Sequence, residues 1–334
     1  MIHTERVDAD AHGRRLDRVT MDYRPLGDSG LMVSAVGIGC NAFGRRVDAA
    51  GVSAILDAAQ DVGVTLLDTA DTYGGNGASE ELLGAALRGR RENFVLATKF
   101  GMDTGGLNGL DHGVRGSRRY IRRAVEGSLR RLQTDYIDLY QLHAPDDVTP
   151  IEETLSALTD LVQEGKVGYV GCSNVAGWQI ADADWAARTV GLERFVSVQN
   201  RYSLLDRSIE DEVVPAAETF GLGVLPFFPL EYGLLTGKYR RGQEPPAGSR
   251  ATSGPAPWLA NADWDRIEAL KAYAAERDLS VLDVAIAGLA AQPAVASVIS
   301  GATSGEQVRT NAAALRWKPT ADDLAILDEL TRAD

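Results

Sequence analysis

The chain has 334 residues, 45% of them hydrophobic and 24% charged, an ordinary balance for a water-soluble fold with a sizeable core. A formal net charge of −13 argues against a nucleic-acid partner, and no apolar run approaches the length of a membrane span. Two cysteines and four histidines show no metal-type spacing and no disulfide framework, which fits a reducing, cytoplasmic setting.

Residues 1–20 are polar and mixed in charge, without the apolar centre of a signal peptide. They are expected to form a disordered extension, with Met21 as an alternative start and residues 21–334 as one barrel domain. Residues 22–34 hold two short strand-like pieces around the turn signal Gly27-Asp28-Ser29-Gly30, which predicts a hairpin. Strand-like runs then fall at 35–39, 64–68, 94–98, 137–142, 167–172, 195–199, 222–227 and 295–299. Runs with helical periodicity lie between them, for example 53–61, 80–87 and 151–163, and a last one covers 321–332. Eight strand–helix repeats predict an α/β fold of the (β/α)8 TIM-barrel type, with the N-terminal hairpin ahead of it and helices at the C-terminus. A doubly wound sheet is the weaker reading, because Gly37-Ile38-Gly39 does not extend to a dinucleotide fingerprint. The arginine-rich stretch 115–131 reads as a helix with a solvated basic face. Two long insertions, 101–116 and 230–263, follow strands on the face where barrel sites lie, as lids, binding loops or disordered segments.

Four polar residues stand at or just past the ends of the strand-like runs: Asp68, Tyr73, Lys99 and His143. Each has a bland alternative: a turn cap, a packing tyrosine, a surface lysine, a satisfied core histidine. Together at the carboxyl ends of parallel strands they converge on one face. A carboxylate there holds the ammonium, and the ammonium lowers the phenol's high reference pKa. The imidazole adds a hydrogen-bond partner, giving a general acid for a carbonyl oxygen.

The segments DTADTYG (68–74), TKF (98–100) and YIDLYQLHAPD (136–146) resemble signatures of the aldo-keto reductase superfamily. The resemblance continues through GCSN (171–174), VQNRYSLLDR (198–207), PLEYGLLTGKY (229–239) and ISGATSGEQVRTN (299–311), and it includes the branch of potassium-channel β subunits. It implies a barrel that binds NADPH, with NAD as a possible substitute, and reduces aldehydes, ketones or sugar-like carbonyls without a metal. Asp68, Tyr73, Lys99 and His143 would be the catalytic tetrad, Tyr73 giving the proton and His143 orienting the carbonyl. Ser173, Asn174 and Gln199 would hold the carboxamide, although capping of a following helix is the alternative for Ser173 and Asn174. Phe227 would stack on the nicotinamide, while Pro229, Leu230 and Lys238 would cross the pyrophosphate. Arg250 would reach the adenosine phosphates, and Gly301, Thr303, Gln307 and Asn311 the adenosine end. Ser304 to Gln307 also reads as a capping box.

Three departures qualify the resemblance. Small hydroxyl residues, Thr303 and Ser304, stand where many relatives have a basic residue for the 2′-phosphate. Phe228 replaces a small hydroxyl residue, and the chain ends soon after its last helix, so the pocket is expected to be open. A second function is consistent with the same residues: a redox-sensing regulatory subunit that binds NADPH with little turnover.

Overall fold

A computed structural model describes residues 21–332 apart from Asn76 and Ser253. The expected disordered extension, residues 1–20, lies outside the described residues. The hairpin pairs β1 (Tyr23–Pro25) with β2 (Met32–Ser34), Tyr23 opposite Ser34. Gly27 makes its turn with φ of 57°, and a side chain there would meet the Gly221 carbonyl at 2.4 Å.

Strand and helix then alternate: β3 (Val36–Gly39), α1 (Ala49–Val62), β4 (Leu66–Asp68), α2 (Ala78–Ala86), β5 (Val95–Phe100), α3 (Arg118–Leu132), β6 (Ile137–Leu142), α4 (Ile151–Gln163) and β7 (Val167–Ser173). The chain continues through α5 (Gly177–Val190), β8 (Ser197–Gln199), α6 (Val213–Phe220), β9 (Gly223–Val224), α7 (Pro257–Ala260), α8 (Trp264–Ala275), α9 (Val281–Ala290), β10 (Val298–Gly301), α10 (Gly305–Ala313) and α11 (Ala321–Thr331). Local signals start and stop these helices. Asp48 accepts from Gly51 N at the start of α1, and left-handed Gly63 ends it; Ser280 with Asp283 and Thr320 with Asp323 form capping boxes on α9 and α11.

The eight main strands, β3 to β10, are parallel, in the order β10-β3-β4-β5-β6-β7-β8-β9. Val224 N–H donates to Ala294 O at 2.8 Å and Ile299 N–H to Pro226 O at 3.0 Å, which joins the last strands to the first. The curled sheet therefore closes as a barrel. The run read at 295–299 divides here, because Val295 bridges to Val224 before Val298–Gly301 pairs with β3.

The two-residue pleat sorts side chains into layers. Leu66, Ala97 and Leu139 share an interior cluster with Leu225 and Ile299, and hairpin residues Leu26 and Val33 join it. Two residues along the same strands come Asp68, Lys99 and Gln141, so the apolar floor gives way to a polar layer at the strands' carboxyl ends. The alternate residues Leu67, Leu96, Tyr140 and Val170 pack outward against the helices. Where α2 meets α3, Gly84 leaves no room: an added Cβ would lie 2.4 Å from Arg131 O.

The arginine-rich helix presents a solvated face, as its sequence suggests, and part of that face is paired. On α3, Arg118 reaches Asp160 at 2.8 Å and Arg122 reaches Glu164 at 2.8 Å, both on or beside α4. Neither long insertion is a bare loop. Around 230–263, Leu234, Tyr239 and Ile267 build a small core with Trp258 packed on it. Asn108 anchors 101–116 by its bond to Asp71.

Candidate active site

Asp68 ends β4, Lys99 lies near the end of β5, and His143 follows β6; all three are buried. Tyr73 sits in the turn after β4. An ammonium has three donors, and Lys99 Nζ has an acceptor for each: Asp68 Oδ2 at 2.7 Å, Thr69 O at 2.9 Å and Tyr73 Oη at 3.4 Å. The Tyr73 and His143 rings meet edge to face with centroids 5.8 Å apart. The surface-lysine alternative fails outright, since Lys99 is fully enclosed.

Burial works against the Lys99 charge, but Asp68 and Tyr73 outweigh it and hold its pKa above the usual value. The expected lowering of the Tyr73 phenol needs correction. Burial raises it, Lys99 opposes, and the balance lies above the ordinary tyrosine value. At neutral pH the phenol therefore keeps its proton. His143 moves the other way, down to about 3, through burial and then the Lys99 charge, so its imidazole is neutral. Its Nδ1 is buried with no partner among the described residues.

Beside this group opens a cleft of about 760 Å³, whose wall includes Asp68, Tyr73 and His143. Ser173, Asn174 and Gln199 line its inner end and Phe227, Pro229 and Leu230 its flank. Lys238 and Arg250 line the outer half with Gly301, Thr303, Gln307 and Asn311. Every position named from the resemblance thus falls on one cleft, Lys99 standing directly behind it.

Ser173 and Asn174 are not helix caps: α5 starts at Gly177, with Gln179 Oε1 accepting from Ala176 N at 2.9 Å. Instead Ser173 Oγ donates to Gln199 O at 2.6 Å, and Asn174 Nδ2 donates to His143 O at 2.9 Å from a left-handed backbone. Only half of the box at Ser304 forms. Ser304 Oγ accepts from Gln307 N at 3.3 Å, but Gln307 Oε1 accepts from Thr303 N at 2.8 Å. Phe228 has φ of 55° and faces Tyr232 at 4.7 Å, with Arg250 over both rings at 5.5 and 4.9 Å. Trp258 stacks behind Tyr232 at 5.4 Å, off the cleft wall.

Residues beyond the sequence reading also contribute. Gln141 Nε2 donates to Asp68 Oδ1 at 3.2 Å. Its place two residues before His143 on β6 was the available signal. Asn41, Arg46, Met102 and Tyr232 line the cleft from loops, where no periodicity marks them. Among the described residues Arg46, Lys238 and Arg250 have no carboxylate partner. The outer cleft thus offers positive charge to an anion, and its inner end offers polar donors and acceptors. A nicotinamide dinucleotide carrying phosphates fits that donor set. Among the described residues no helix is long and apolar enough to cross a membrane.

Comparison with known proteins identifies the family of the chain as a whole. The model of the Aldo/keto reductase family matches residues 35–332. A probable voltage-gated potassium channel subunit beta of Oryza sativa subsp. japonica is 38% identical, over 88% of this chain and 91% of its own length. The uncharacterized oxidoreductase YrpG of Bacillus subtilis (strain 168) is 37% identical, over 93% and 96%. Probable aldo-keto reductase 1 of Glycine max is 35% identical, over 90% and 86%.

Proposed function

The chain belongs to the aldo/keto reductase family, and from that premise we propose that it is an NADPH-dependent oxidoreductase reducing aldehydes or ketones, sugar-like carbonyls included, to alcohols. The observation that carries this reading is the line Asp68–Lys99–Tyr73, with His143 beside it at the inner end of the cleft. A reduced nicotinamide, when bound, supplies a hydride to the carbonyl carbon. Tyr73 gives its hydroxyl proton to the carbonyl oxygen as that oxygen gains charge. Lys99, fixed by Asp68, stabilises the phenolate left behind and makes the transfer easier. Neutral His143 can donate a hydrogen bond to the same oxygen and so orient it, without competing as a stronger acid.

Ser173, Asn174 and Gln199 would present the carboxamide, Phe227 would stack, and Pro229 and Leu230 would cover the middle of the cofactor. Lys238 and Arg250 would pair with its phosphates, and Gly301, Thr303, Gln307 and Asn311 would receive the adenosine end. The absence of a basic residue at Thr303 and Ser304 makes the choice between NADPH and NADH a test in its own right.

The experiment follows NADPH and NADH oxidation by absorbance with a nitrobenzaldehyde. Faster turnover with NADPH supports the proposal; a preference for NADH keeps the chemistry and overturns the cofactor. NADPH binding without turnover favours a second reading, a redox-sensing regulatory subunit, which the name of the potassium-channel-subunit relative brings forward.

A further inference from the structure

Behind Tyr73, on the outer side of the barrel strands, lies a second polar group that the chemistry above does not use. Asp71 precedes Tyr73 by two residues, is 0% exposed, and donates its main-chain N–H to Lys99 O at 3.3 Å. Its Oδ2 accepts from Asn108 Nδ2 at 2.8 Å. Asn108 belongs to the segment 101–116, is itself buried, and also reaches the Tyr120 hydroxyl at 3.2 Å. The segment starts directly after β5, and its Met102 lines the cleft.

The surroundings are unusual for a carboxylate. Glu80 on α2, the acid whose charge acts on Asp71, is matched by Arg131 at 2.6 Å and by the Thr98 hydroxyl at 2.6 Å. Among the described residues Asp71 has no ion-pair partner, and Arg131, bound to Glu80, acts on it only from a distance. Asp71 Oδ1 is buried without a partner among the described residues, and so are Asn108 Oδ1, the Thr104 hydroxyl and the Tyr140 hydroxyl. The groups facing it are Glu80 from α2, Arg131 and Tyr120 from α3, Tyr140 from β6, and Thr104 and Asn108 from the loop. An ionised carboxylate there can only accept, whereas the neutral acid adds a donor of its own for an unpartnered oxygen such as Asn108 Oδ1.

We propose that Asp71 and Asn108 form a protonation-dependent latch: a positioning pair that seats loop 101–116, and with it Met102, against the turn carrying Tyr73. With Asp71 neutral, the amide–acid contact holds in a buried setting without an uncompensated charge. With Asp71 ionised, the Asn108 amide and the more distant Arg131 still favour the charge, but burial and Glu80 outweigh them, so opening the loop to water relieves the larger cost and the seat weakens. Burial and Glu80 together push its pKa up to about 7, which places the change near neutrality. Loop position then adjusts the substrate side of the cleft over the same pH range.

Hydrogen exchange of the amides in 101–116 tests this on the full chain without cofactor or substrate, from about pH 5.5 to about pH 8.5 and corrected for intrinsic exchange. Protection in the unmodified protein should fall roughly tenfold or more as pH rises, with a midpoint near pH 7. Asp71→Asn keeps the acceptor and the shape of the neutral acid, so its loop should stay protected across the range. Asn108→Ala should be poorly protected at every pH. Infrared spectroscopy of the unmodified protein gives an independent readout: a protonated-carboxyl band should disappear through the same midpoint. Flat protection, a midpoint surviving in Asp71→Asn, or no titrating carboxyl band would overturn the proposal. These readouts follow the loop and the acid directly, so failure of the carbonyl-reduction reading would leave them unaffected.

Discussion

Gln199 Nε2 donates to Asp68 Oδ1 at 2.9 Å, and the bond spans the barrel. Gln199 belongs to β8 and Asp68 to β4, strands four places apart in an eight-membered ring and therefore on opposite sides. Asp68 thus has one oxygen on Lys99 and the other on amides from β8 and β6. A residue expected to hold the cofactor also supports the carboxylate that fixes the ammonium.

This double duty separates two otherwise similar substitutions. Gln141→Leu removes a donor to Asp68 but touches no part of the cleft wall, so it should lower stability by about 1–3 kcal/mol and leave NADPH affinity nearly unchanged. Gln199→Leu should lose stability on the same scale and weaken NADPH binding as well. Urea unfolding together with NADPH fluorescence titration reads both quantities. Equal binding by the two variants would remove Gln199 from the cofactor role.

Tyr73→Phe keeps the ring that packs against His143 and removes only the hydroxyl. Carbonyl reduction should fall by about 10²–10⁴-fold, the usual worth of a positioned general acid, while NADPH affinity stays the same. Unchanged turnover would assign the proton to another group.

Much of this site could be read from the sequence because the strand period is two. Asp68 and Lys99 each follow an inward apolar residue, Leu66 and Ala97, at the spacing that returns a side chain to the barrel interior. The same rule exposes Gln141, two residues before His143, although a neutral amide draws little attention beside charged groups. Loops obey no such rule. Arg46 and Tyr232 reach the cleft along backbone paths that depend on distant packing, and Tyr232 does so from a left-handed conformation. The direction of the Tyr73 shift is hidden from the sequence for a physical reason. The sequence reveals the charge partner, Lys99, but not the degree of burial that outweighs it.

Lys99 and Asp68 are both enclosed, so removing either one leaves a buried charge unpaired. Lys99→Met should destabilise the fold by about 3–5 kcal/mol, and adding Asp68→Leu should recover part of that loss. Carbonyl reduction should remain lost in the double variant, because neither residue is left to tune Tyr73. Recovery of turnover along with stability would show that the pair serves only the fold.

Stability against pH separates His143 from Asp71, because their pKa values move in opposite directions. His143 falls from 6.5 to about 3 on folding, so between those values the unfolded chain binds a proton that the folded chain refuses. Its effect is destabilisation that grows as pH drops below about 6.5. Asp71 rises from 3.8 to about 7, so the folded chain holds the extra proton over that interval. Its effect is destabilisation that grows as pH rises and persists above pH 7. Relative to the unmodified protein, His143→Gln should therefore gain about 2 kcal/mol at pH 5 over its difference at pH 8. Asp71→Asn should show the reverse, gaining about 2.5 kcal/mol at pH 8 over its difference at pH 5. Urea midpoints at the two pH values decide the matter. A His143→Gln difference that does not change with pH would mean the imidazole titrates normally, which would remove the argument for a neutral hydrogen-bond donor beside Tyr73.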